Sequence, residues 1–139
     1  MIERYSMVFK NLKGYPTKVK SSYKYKIDWD GKSLSKLQRR AKILLYEYWH
    51  SDFVYEELPV AGTRMSLDFY NASQKIAIEV DGNQHYSFSK FFHSNNKSKF
   101  IDQLRRDDDK ERFCELNEIT LHRVREDLDL QEQIESLDL

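Results

Sequence analysis

Ser66-Leu67-Asp68-Phe69-Tyr70, the tetrad Asn71-Ala72-Ser73-Gln74 and then Lys75-Ile76-Ala77-Ile78-Glu79-Val80-Asp81 decide how this 139-residue chain is read. The two outer runs are short and rich in apolar, β-branched and aromatic residues, and the polar tetrad is a turn, so two neighbouring antiparallel strands are expected. Successive side chains of a strand point to opposite faces. Ile76, Ile78 and Val80 therefore share one face, and Ala77, Glu79 and Asp81 share the other. Asp68, flanked by Leu67 and Phe69, faces away from the apolar side of its own strand, and the hairpin brings it opposite Glu79. Crowded carboxylates resist losing water, at roughly several kcal/mol for each unpaired buried charge, so an acidic face of this kind points to a cation or a catalytic role.

Outward from this pair, residues 53–59 read as a further strand, joined through a turn at Ala61-Gly62-Thr63 into a three-strand antiparallel meander. Residues 34–49 change to helical period, with Leu37, Ala41, Leu44, Leu45 and Tyr48 on one stripe and Arg39, Arg40 and Lys42 off it. Ser35 followed three residues later by Gln38 has the form of a capping box. Downstream, residues 100–116 favour a helix whose stripe of Phe100, Leu104, Asp107 and Cys114 sets Asp107 inward. Residues 119–124 read as a strand, and an acidic helix is expected from Asp127. This order predicts a single α/β domain with a mixed central sheet, the meander plus the later strand, flanked by helices.

The 23 basic and 23 acidic residues cancel, but not locally. Residues 1–48 carry twelve Lys or Arg against four acids, and residues 126–139 carry six acids and no base. A basic front half suits a polyanion, because each cation set on a phosphate releases condensed counterions. Residues 1–32 mix Lys18, Lys20, Lys24 and Lys26 with tyrosines. They read either as an arm that follows a nucleic-acid backbone or as an edge hairpin packing its tyrosines on the core. The core is expected over residues 33–125, with an acidic helix or tail over 126–139. Lys90 and Lys97, in the Phe- and Ser-rich stretch between Tyr86 and Lys99, together with Arg39 and Arg40, complete the expected nucleic-acid-contacting set; the phenylalanines there could equally pin the loop to the domain. No apolar run approaches the roughly 20 residues of a membrane helix. The single Cys114 excludes an internal disulfide, and a cytoplasmic location is expected.

Two carboxylates from neighbouring strands, Asp68 and Glu79, form a hard oxygen site suited to Mg²⁺, with Mn²⁺ as the alternative ion. Asp81 is placed to help hold the cation or orient a water, and His85, just beyond Gly82, to move protons near neutrality. These residues carry a resemblance. Residues 66–70 and Ile78-Glu79-Val80-Asp81-Gly82-Asn83-Gln84-His85 resemble the core of the PD-(D/E)XK nuclease superfamily, in particular the branch of very-short-patch repair endonucleases and EDxHD phage homing endonucleases. The similarity runs on through Arg106-Asp107, Lys110, Phe113-Cys114 and Asn117 to Val124 and covers roughly residues 35–124.

The resemblance implies a restriction-endonuclease-like domain and a Mg²⁺-dependent phosphodiesterase acting on double-stranded DNA. Asp68 and Glu79 would bind metal, Asp81 and Gln84 would support them, His85 would handle protons, and Asp107 would orient His85 or add a ligand. A homing endonuclease is the first expectation. The alternatives are a repair or junction nuclease and a non-catalytic nucleic-acid-binding module on a degenerate nuclease fold. One site cuts one strand, so a double-strand break would require a homodimer, sequential nicks or a partner. Three positions depart from the superfamily pattern: Leu67 stands where a proline is usual, Asp81 where a lysine is usual, and Gln38 where the signature has its leading glutamate. Without that lysine, His85, Gln84 or a second metal would have to help stabilise the attacking hydroxide.

Overall fold

Ser35 opens the first long helix as expected: its hydroxyl accepts the Gln38 amide at 3.1 Å, satisfying one of the orphan donors of the first turn. A computed structural model describes residues 7–82 and 97–139. In chain order these form β1 (Met7–Lys10), β2 (Pro16–Val19), a 3-10 turn (Ser22–Tyr25), α1 (Lys36–Trp49), β3 (Val54–Pro59), β4 (Ser66–Asn71), β5 (Ile76–Asp81), α2 (Lys97–Leu116), β6 (Thr120–Arg125) and α3 (Leu130–Ser136). Gln84, His85, Lys90 and the phenylalanines of the adjoining stretch lie outside the described residues.

The main sheet has the order β3-β4-β5-β6. The first three strands are the antiparallel meander, and β6 returns parallel to β5 after the α2 crossover, so the sheet is mixed as the sequence predicts. Both faces of the sheet are covered. On one lie β1, β2 and the end of α2, with Phe9, Val19, Leu58, Leu67, Tyr70, Ala77 and Phe113 in one apolar cluster. On the other lie α1 and α3, whose Ala41, Leu45, Trp49, Leu130 and Ile134 pack on Val54, Phe69, Ile78 and Val124.

Two expectations need correction. Of the two readings of the N-terminal segment, the hairpin is the one that forms: β1 and β2 pair antiparallel, and Phe9 packs edge-on to Tyr70 and tilted against Phe113. Asn117, just past α2, accepts the Lys10 amide at 2.7 Å and donates to the Lys10 carbonyl at 2.9 Å, docking the hairpin as a strand partner would. The following chain bridges to the edge of the sheet at Tyr55. Phe9 and Val19 are buried in the core and Tyr25 packs against it, whereas Tyr15 and Tyr23 are exposed.

The buried face of α1 is also rotated from the predicted stripe. Gln38, Ala41, Lys42, Leu45 and Trp49 are buried, while Leu37, Leu44 and Tyr48 flank the core. Lys42 is fully buried because its ammonium meets Glu56 at 2.8 Å and the carbonyls of Asp28 and Lys32 at 3.0 and 3.3 Å, which occupies all three of its donors. Gln38 is drawn into the same network, donating to Glu56 and Glu57, so its side chain does not complete the capping box.

Candidate active site

The β4–β5 ladder runs from Asn71↔Ile76 to Phe69↔Ile78, and the next residues along it are Asp68 and Glu79. There the side chains take over from the backbone. The Asp68 amide donates to Glu79 Oε2 at 2.6 Å, and the Val80 amide donates to Asp68 Oδ2 at 2.8 Å. Each carboxylate thus satisfies a donor on the other's strand, which fixes both in place where the strands part. On the other side of β4, Glu56↔Phe69 and Leu58↔Leu67 bracket Asp68, and Glu57 between them adopts a left-handed backbone with φ 55°. A non-glycine residue in that region costs on the order of 1–3 kcal/mol, and such strain concentrates at functional sites. Glu57 is gripped at both oxygens, by Gln38 Nε2 at 3.1 Å and by Ser66 Oγ at 2.6 Å.

Glu79 is 2% exposed, and Lys110 reaches it from α2 with Nζ 2.5 Å from Oε1. Burial pushes the Asp68 carboxyl up to about 8, reinforced by the charge of Glu79 and only partly offset by the Val80 amide and Lys110. Glu79 is raised as well, because burial outweighs its pairing with Lys110. Burial works against the Lys110 ammonium, yet Glu79 and Asp68 together outweigh it and raise its pKa. Burial thus pushes both carboxyls toward the neutral form, and at Glu79 the Lys110 ammonium opposes that shift.

The neighbouring acids are tied by a second cation. Arg123 of β6 places Nη1 3.6 Å from Asp81 and 3.5 Å from Asp107, and its Nη2 donates to the Asp107 carbonyl at 3.0 Å. Gln103 donates to Asp107 Oδ1 at 2.8 Å. Asp68, Glu79, Asp81, Gln103 and Lys110 line one open cavity of about 400 Å³, and Asp107 stands behind Gln103 rather than in the wall.

The structure therefore brings together Asp68, Glu79 and Asp81, with Asp107 one residue back; Gln84 and His85 lie outside the described residues. Lys97 is exposed at the start of α2. Gln38 is buried on α1 and reaches this region only through Glu57 and Ser66. Lys110 sets beside Glu79 a cation that the sequence reading did not assign. Its signal was present in the chain: Gln103, Asp107 and Lys110 fall at i, i+4 and i+7 and form the half-buried stripe that α2 turns to the site. Leu104, expected inward, is 49% exposed, while Gln103, Arg106 and Lys110 are the α2 residues that line the cavity. Arg39 donates from Nη1 to the Trp29 carbonyl at 2.8 Å.

The donor set fits a hard divalent cation in its chemistry. Mg²⁺ is commonly held by one or two carboxylates, with waters and phosphate oxygens completing the shell. Asp68 and Glu79 supply two, and Asp68 Oδ1 accepts no hydrogen bond among the described residues. The unmet charge behind the raised Asp68 is what such an ion would balance. Among the described residues no group of three or more His, Cys, Asp or Glu is arranged to hold a metal, so the waters and substrate would carry the rest of the shell.

Two viral proteins are similar to part of this chain. Uncharacterized protein 033L of invertebrate iridescent virus 3 is 36% identical over 66 residues, 48% of this chain and 34% of the relative. Uncharacterized protein 307L of invertebrate iridescent virus 6 is 40% identical over 60 residues, 43% of this chain and 30% of the relative. The matched stretch thus spans about a third of each curated relative. No known family matches the chain, and no solved structure matches it.

Proposed function

We propose that the chain is a metal-dependent endonuclease that hydrolyses phosphodiester bonds of double-stranded DNA. One observation carries the reading: a half-buried Asp68 and a buried Glu79 are held by each other's strands, with Lys110 paired to Glu79, in the wall of an open cavity. Asp68 and Glu79 would hold Mg²⁺ or Mn²⁺, which when bound polarises a phosphoryl oxygen and lowers the pKa of a coordinated water. Lys110 sets a fixed positive charge where negative charge develops on the phosphate and the attacking oxygen, and its pairing with Glu79 keeps it protonated. Gln103 braces Asp107, and Arg123 pairs with Asp81 and Asp107 beside the Asp68–Glu79 pair. His85 and Gln84 keep the proton-handling and supporting roles assigned from the sequence. The partial likeness to iridescent-virus proteins supports a viral or mobile-element setting, such as homing, within a host cytoplasm. No described helix is long and apolar enough to cross a membrane.

Supercoiled plasmid incubated with the protein and Mg²⁺ or Mn²⁺ is expected to be nicked, and Asp68→Asn and Glu79→Gln each to abolish the nicking. Equal cutting by these variants overturns the site. Retarded migration of DNA with no cutting in either metal overturns catalysis in favour of a binding module.

A further inference from the structure

The cavity that holds the carboxylates also has two guanidinium groups in its walls, and neither neutralises them. Arg64 enters from the β3–β4 turn and Arg106 from α2. Both are exposed, and neither makes an ion pair or hydrogen bond among the described residues. The local acids are served by other cations: Glu79 by Lys110, and Asp81 and Asp107 by Arg123. Two arginines beside an acidic floor yet unspent on it are placed for an anion that comes from outside.

We propose that Arg64 and Arg106 form a two-sided phosphate grip, each holding a backbone phosphate of duplex DNA next to the one over Asp68 and Glu79. The inference rests on the endonuclease reading and assigns the substrate contacts of that site. The planar fork of arginine matches phosphate oxygens, and a cationic rim offsets the repulsion that an acidic floor exerts on a polyanion. The Arg64 arm is preorganised. Gly62 takes φ 81°, and the Thr63 hydroxyl donates to the Val60 carbonyl at 2.8 Å while accepting the Met65 amide at 3.0 Å, so Arg64 projects from a braced turn. Arg106 lies three residues after Gln103 and four before Lys110, on the part of α2 that faces the cavity. The lysines of the N-terminal hairpin do not line this cavity, so the grip is separate from the basic surface expected from the sequence.

The test is fluorescence anisotropy of a labelled mixed-sequence duplex oligonucleotide in EDTA, where nothing is cut, across a KCl series. Arg64→Ala and Arg106→Ala are each expected to weaken binding several-fold and to make the log–log salt dependence shallower by about 0.9 per arginine. Arg64→Lys and Arg106→Lys should keep the parent slope, and unchanged melting of the alanine variants shows that both remain folded. If the parent binds and both alanine variants match it in affinity and slope, the grip is overturned, while metal-dependent nicking that still requires Asp68 leaves the endonuclease reading standing. If the parent neither binds the duplex nor nicks plasmid, both fall.

Discussion

Asp68 is the residue whose state most directly reports the site. Its folded pKa of about 8 lies above the ordinary value of 3.8, so ionisation works against the fold. The native state binds more protons than the unfolded state between about pH 4 and pH 8, and stability falls as pH rises through that window. Glu79 shifts in the same direction. Lys110 has the same sense in a different window: its contribution is complete below its ordinary 10.5 and is lost only at higher pH, so it does not mask the effect. Metal-free protein is therefore expected to melt at lower temperature at about pH 8 than at about pH 5, and Asp68→Asn to flatten the profile. Added Mg²⁺ should raise the melting temperature more at the higher pH; differential scanning fluorimetry reads all three. Lys110 is tested by a double-mutant cycle. Lys110→Met strands a buried Glu79 and is expected to cost about 3 kcal/mol in urea unfolding, whereas the pair Glu79→Gln with Lys110→Met costs less than that single change. Additive losses would mean that the two side chains are not energetically joined.

At the scale of elements, the hairpin's attachment makes a sharp prediction. Asn117 meets both backbone groups of Lys10, so Asn117→Ala should destabilise the protein by about 1–2 kcal/mol and speed amide exchange at Lys10 while leaving exchange in β4 and β5 slow. Uniform acceleration across the sheet would show that the hairpin has no independent attachment. The same element shows where the sequence was silent. β3, β4 and β5 were legible because alternation and turn residues act locally, and Ser35 marked the start of α1 for the same reason. β1 and β2, four residues each, bury only Phe9 and Val19 fully, with Met7 packed beside them, too few positions to display a period. Lys42 looked like surface because the Glu56 carboxylate and the Asp28 and Lys32 carbonyls that accommodate it lie elsewhere in the chain. Within the site, Glu79 and Asp81 were visible from strand parity; Asp68 does not follow it, because Leu67 and Phe69 on either side of it pack in different layers. Lys110 and Arg123 were not assigned, since their roles depend on where α2 and β6 settle against β5.

At the scale of the whole molecule, one mixed sheet separates two apolar layers, and the acidic C-terminal segment belongs to one of them. Leu130 and Ile134 of α3 are buried against α1, so removing residues 126–139 would strip part of the core as well as six acids. Phe9 lies in the layer with Tyr70 and Phe113, and Ile134 in the layer with Ala41 and Trp49. Phe9→Ala should cost about 3–5 kcal/mol and Ile134→Ala about 2–5 kcal/mol, each leaving a cavity its neighbours cannot fill. Because the sheet stands between them and they share no cluster, their effects should add to within about 0.5 kcal/mol in urea unfolding. The Asp68–Glu79 site sits where β4 and β5 part, at the border of both layers, so each single variant should also raise the concentration of Mg²⁺ needed for half-maximal stabilisation. A Mg²⁺ response that moved with only one of the two substitutions would show that the site leans on one layer, and would identify which face of the sheet sets its geometry.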